Sequence, residues 1–138
     1  MTHQQIQDFL HKHQLCVLST VNEKGNPESA VVGFSENDKL ELMIATSNQS
    51  RKYKNMIGHS AVSVVVGWDK WITVQYEGVV RLLSDDELIE YQKNHFAKLP
   101  MTEKYKENPD EVYIAITPTY IRYTDCNKDP WDVTELSF

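Results

Sequence analysis

The chain has 138 residues, 41% of them apolar and 25% charged, with five glycines and five prolines. That suits one compact domain, able to bury most of the surface its unfolded chain exposes without the help of a metal or a disulfide. Fourteen Lys and Arg against 20 Asp and Glu leave a net charge of -6, which repels phosphate backbones and anionic bilayers, so neither nucleic acid nor a membrane surface is an expected partner.

The longest apolar run, residues 61–68, contains Ser63 and Gly67 and falls far short of the roughly 18–20 residues that cross a bilayer. The opening residues carry neither the basic segment nor the apolar stretch of a secretory signal, so a cytoplasmic location is expected. Cys16 and Cys126 lie at opposite ends of the chain without C-x-x-C spacing and read as buried or incidental thiols.

Thr2 and Gln5 are spaced as a capping box and Ile6, Phe9 and Leu10 recur at helical intervals, so residues 3–13 read as a short amphipathic helix. Residues 15–20 are a β-rich run, residues 22–27 a turn cluster containing Gly25 and Pro27, and residues 29–34 the return strand of a hairpin. A polar turn at 36–39 leads into a strand at 40–46 with Leu40, Leu42 and Ile44 on one face. Capping residues at 47–50 precede a helix at 51–57, and two long strands, 61–68 and 71–83, meet across Asp69 and Lys70. The second is too long to stay flat and is expected to bend at Gly78.

Ser84 and Glu87 form another capping box, opening a helix to about residue 96 with Leu88, Ile89 and Tyr91 packed inward. After a polar stretch holding Pro100 and Pro109, residues 112–117 and 120–124 read as the last strands on either side of Pro118, and the tail from 126 as irregular. Short strands with hairpin signals and three helices, with no internal repeat or linker, imply a mainly β fold over residues 1–138, an antiparallel barrel with peripheral α-helices.

The chemistry concentrates at residues 45–52, where a strand ends and a helix begins. Unpaired N–H groups and the helix dipole favour an anion there; Arg51 and Lys52 add full charges, and the hydroxyls of Thr46, Ser47 and Ser50 can donate hydrogen bonds. The same residues also satisfy a capped helix with a solvated basic turn, and composition alone leaves both readings open. His3, His11, His13, His59 and His95 lack metal-ligand spacing, so no metal is expected. Asp85, Asp86 and Glu87 are accounted for by the second capping box. Trp68 and Trp71 flank a hairpin turn and read as core or interface aromatics.

The turn Gly25-x-Pro27, the segment Ala45-Thr46-x4-Arg51-Lys52, Asn55, the strand Val62-Ser63-Val64, and Gly78 six residues before Ser84 occur in a shared order. With these features residues 4–125 resemble the pyridoxamine 5'-phosphate oxidase-like flavin-binding split barrels, in particular their general stress protein branch. The resemblance implies a six-stranded antiparallel split barrel and a homodimer with FMN at the subunit interface. It places Arg51 and Lys52 on the FMN phosphate, Thr46 at the ribityl end, Ala30, Val31 and Val32 along the isoalloxazine, and Thr73 at a position that is Gln in the oxidases.

Tyr91 matches an oxidase residue that contacts substrate phosphate, but its companion Arg is His95 here. Ala30 replaces a common flavin-strand Arg, Thr124 replaces a flavin-contacting Trp, and a downstream substrate Arg has no counterpart, so vitamin B6 oxidation is not expected. Hydride would pass through flavin N5 to or from NAD(P)H or a small substrate, the alternatives being a non-catalytic flavin carrier or the same barrel holding deazaflavin or haem. Trp131 has two roles open, covering the flavin or a partner subunit, or packing within its own chain.

Overall fold

In the computed structural model, which describes residues 3–138, the apolar alternation becomes eight antiparallel strands around one core. The helix α1 (His3–His11) is followed by β1 (Leu15–Val21), β2 (Pro27–Gly33), β3 (Ser35–Glu36), β4 (Leu42–Ser47) and the helix α2 (Arg51–Gly58). Next come β5 (Ala61–Val66), β6 (Ile72–Leu82), the helix α3 (Asp85–Lys98), a 3-10 turn at Pro100–Tyr105, β7 (Glu111–Asp125) and β8 (Asp132–Ser137). The expected cap at Thr2 lies outside the described residues. No helix among them is long and apolar enough to cross a membrane.

The strand order is β2-β1-β5-β6-β7-β4-β3, with β8 also on β7. Its curl has a visible cause. β2 pairs with β1 at one edge, and only Phe34 separates it from β3, which pairs with β4 at the other. Phe34 is fully buried and donates its N–H to the Gln14 carbonyl at 3.1 Å, so one extended segment passes from edge to edge and draws the sheet into a split barrel.

The bend expected at Gly78 is present as a register shift between Glu77 and Gly78. A Cβ at Gly78 would stand 2.6 Å from the Thr117 carbonyl oxygen, closer than real atoms approach, so the crossing needs glycine. Inside, Leu18, Phe34, Leu42, Ile44, Val64, Tyr76, Ile116 and Ile121 form the centre of the core, joined by Ile6 and Leu10 of α1 and Met56 of α2. The Tyr76 hydroxyl reaches the carbonyl oxygens of Leu40 and Ile116 at 2.7 and 3.0 Å, so the polar end of this buried ring is satisfied.

Four expectations need correction. The barrel has eight strands rather than six, because two-residue β3 and the tail strand β8 both pair. The tail is therefore not irregular: Asp132–Ser137 lies along Tyr120–Asp125. The two final strands are one, β7, because Pro118 falls at the bulge opposite Gly78. Ile89 is also turned outward at 71% exposure, since the packed face of α3 runs through Leu88, Tyr91, His95 and Leu99, at helical intervals that leave Ile89 aside.

Candidate functional site

β4 ends at Ser47 and α2 begins at Arg51, and side-chain hydroxyls fix the link between them. Thr46, 7% exposed, donates from Oγ1 to Ser50 Oγ at 3.1 Å, and Ser50 Oγ caps the helix by accepting the Tyr53 N–H at 3.1 Å. Ser47 Oγ accepts the Gln49 N–H at 3.0 Å. The N–H groups of Arg51 and Lys52 belong to the first turn and have no partner within the helix. Ser47 and Ser50 thus shape the loop, while the helix start and the Arg51 side chain, 80% exposed, meet solvent.

Arg51 and Asn55 are one turn apart on α2 and face the β1–β2 hairpin, lining a cavity of about 720 Å³ together with Asn22, Lys24, Glu28 and Lys54. Glu28 is the centre of this wall. It accepts from Asn55 Nδ2 at 2.8 Å and Asn22 Nδ2 at 3.1 Å, and its Oε2 lies 3.5 Å from Arg51 Nη1. The hydrogen bond from Asn55, then that from Asn22, hold its carboxyl below the usual carboxylate range. Asn55 also donates to Thr20 Oγ1 at 3.0 Å, tying α2 to β1.

Ala30, Val31 and Val32 continue along β2 from Glu28: Val32 is inward and buried, Ala30 half-buried, and Val31 points out at 60% exposure. Strand register sets Val31, Val17, Val65 and Gln75 in one row across the outer face, with Ser29, Ser19, Ser63 and Glu77 in the next. Over β2, β1 and β5 these rows are uncharged. Thr73 lies on β6 opposite Thr124, its Oγ1 3.4 Å from the Val66 carbonyl oxygen. Trp131, 62% exposed, immediately precedes β8. Trp68 and Trp71 are exposed at 52% and 74% and belong to no core.

The structure thus groups Thr46, Ser47, Ser50 and Arg51 closely, with Lys52 beside them and β2 joined through Glu28. Tyr91 and His95 stand in other surroundings. Tyr91 donates from its hydroxyl to Glu41, while Arg81 reaches Glu41 Oε2 at 3.1 Å, the Tyr91 hydroxyl at 2.9 Å and Glu87 Oε2 at 2.8 Å. Burial and the Glu41 hydrogen bond push the Tyr91 phenol up to about 12. Burial also raises the Glu41 carboxyl, but hydrogen bonds from Tyr91, Asn37 and Arg81 outweigh it and leave its pKa lowered. His95 is 1% exposed with Nδ1 2.8 Å from Ser35 Oγ, and burial, aided by the Lys98 charge, pushes it down to about 4.

Sequence reasoning passed over Glu28, Asn22 and the electrostatic role of Asn55. The four-residue interval from Arg51 to Asn55 was a readable signal, because it puts both on one helix face. The pairing of Thr20 with Glu28 depends on the hairpin register and is not written in any local pattern.

The sequence model of the family described as pyridoxamine 5'-phosphate oxidase matches residues 2–125. No curated protein matches the chain in sequence. Among solved structures, the general stress protein 26 of Bacillus anthracis str. Sterne is 25% identical, with a TM-score of 0.76 over 99% of this chain and 98% of that one. A heme binding protein from Mycobacterium smegmatis superposes at a TM-score of 0.85 with 13% identity, and this chain, matched over 99%, spans 58% of its length. A pyridoxamine 5'-phosphate oxidase-like protein of Listeria innocua superposes at a TM-score of 0.73 with 21% identity, over 88% and 96% of the two chains. The fold is that of these split barrels, and with the family's sequence pattern running through nearly the whole chain, the protein belongs to the pyridoxamine 5'-phosphate oxidase-like family.

Proposed function

We propose that the protein is a cytoplasmic homodimeric FMN-binding oxidoreductase whose flavin lies at the subunit interface. The observation that carries this reading is the start of α2: a helix N-terminus with an Arg51 side chain 80% exposed, set directly after the hydroxyl-fixed turn of Thr46 and Ser50. These groups fit a single phosphate. Arg51 and Lys52 would hold it, with Thr46 toward the ribityl chain and Ala30, Val31 and Val32 beside the ring system. Bound flavin supplies hydride transfer at N5, to or from NAD(P)H or a small substrate.

The chain's own residues bind and orient. The uncharged rows of β2, β1 and β5 give the ring a flat wall, and the exposed Val31 beside Val17 and Val65 gives a second subunit an apolar surface to cover. Trp131, exposed just before β8, is available to the partner's flavin. Glu41 and Arg81 occupy the Tyr91 hydroxyl, and His95 is buried, so a substrate phosphate finds no ready clamp on α3. That favours a substrate other than a vitamin B6 phosphate.

The test is the absorbance spectrum of the purified protein with mass spectrometry of the released cofactor. FMN supports the reading; deazaflavin, or a Soret band from haem, contradicts it. The haem alternative draws on the name of the Mycobacterium smegmatis neighbour. Turnover of NAD(P)H with electron acceptors distinguishes an enzyme from a flavin carrier on the same barrel.

A further inference from the structure

We propose that Glu28 determines how strongly this chain prefers a phosphorylated flavin, by competing with the phosphate for Arg51. The inference rests on the FMN reading above. It starts from an asymmetry in the ion pair: the Glu28 side chain is 20% exposed and the Arg51 side chain 80%. The anion is fixed and the cation is free.

Two amides hold the carboxylate, Asn55 Nδ2 at 2.8 Å and Asn22 Nδ2 at 3.1 Å. Both are themselves anchored. Asn55 also donates to Thr20, and Asn22 Oδ1 accepts the N–H groups of Lys24 and Asn26, each at 3.0 Å, in the turn that Gly25 closes with a φ of +80°. Glu28 therefore stays in place when Arg51 moves. A phosphate at the first turn of α2 must draw Arg51 from a carboxylate 3.5 Å away, or share it, and in either case its own negative charge sits near a fixed one. The uncharged remainder of the flavin meets neither penalty, so the effect falls on the phosphate alone.

A purely orienting role makes the opposite forecast. If Glu28 served to aim Arg51 at the phosphate, removing its charge would loosen FMN. Glu28→Gln keeps the length of the side chain and a carbonyl acceptor for Asn55 while deleting the charge.

The experiment measures FMN and riboflavin affinities by flavin-fluorescence titration of the full chain, wild type and Glu28→Gln, with melting temperatures recorded alongside. The expected result is a dissociation constant for FMN lowered about fivefold, with riboflavin unchanged and the gain reduced in an Arg51→Ala background. Unchanged or weaker FMN binding by folded Glu28→Gln overturns the proposal. Glu28→Asp, which keeps the charge but withdraws it from Arg51 by one methylene, is the second variant: a smaller gain in the same direction supports the proposal, and a loss overturns it. If neither wild type nor Glu28→Gln prefers FMN over riboflavin, the FMN reading itself falls. If wild type prefers FMN and the substitution does not raise the preference, only the role of Glu28 falls.

Discussion

An exposed arginine at a helix start contributes little to folding and is placed to meet an anion; among the described residues the Arg51 side chain is ion-paired with Glu28 at 3.5 Å and is otherwise turned to solvent. Arg51→Ala and Lys52→Ala are each expected to weaken FMN binding about tenfold or more while leaving the melting temperature nearly unchanged. A melting temperature that falls with no change in affinity would make these side chains structural.

His95 is the reverse case, buried and paired with Ser35. Burial lowers its pKa from 6.5 to about 4, so the unfolded chain binds a proton in that window that the folded one refuses, and stability falls as pH drops from about 6.5 toward 4. The full effect is about 3 kcal/mol, read from denaturant unfolding across that pH range, and His95→Gln should flatten this part of the profile. The basic pair at 51 and 52 and the hydroxyls before it were legible in the sequence, because a helix start writes its cap and its charges locally. Glu28 and the burial of His95 were not, since each depends on elements distant in the chain: α2 over a hairpin, and α3 over β3.

Among the elements, the second capping box was fully legible and both its halves form: Ser84 Oγ accepts the Glu87 N–H, and the Glu87 carboxylate accepts the Ser84 N–H. Ser84→Ala should cost about 1 kcal/mol in chemical denaturation. The tail was not legible. β8 alternates half-buried and exposed residues, with Leu136 packed against the core, but its pattern acquires meaning only beside the outer half of β7. Removing residues 127–138 exposes the Tyr120–Asp125 edge and should lower stability by about 2 kcal/mol or more. It should also weaken FMN binding, although it removes none of the proposed phosphate contacts. Unchanged affinity in the folded truncation would confine the tail, Trp131 included, to packing within its own chain.

For the whole molecule, curvature is the property that positions the site. Gly78 bends β6, Phe34 carries the chain from one sheet edge to the other, and the row from Val31 through Val17 and Val65 forms an uncharged outer face. The Gly78 bend was readable from strand length. The passage of a single extended segment between both edges was not, because a two-residue strand leaves no periodic signal. A dimer that covers this face should scatter light at about twice the chain mass of 16.0 kDa and bind flavin more tightly as it associates.

The proposed site holds one phosphate, at the start of α2, on a flavin shared between two subunits. Equilibrium titration of the purified protein with FMN, FAD and riboflavin side by side tests this. FMN is expected to bind tightest, at one per chain, and Arg51→Ala to remove most of the preference over riboflavin. FAD binding as tightly as FMN, or riboflavin binding as tightly as FMN in the wild-type chain, would contradict it.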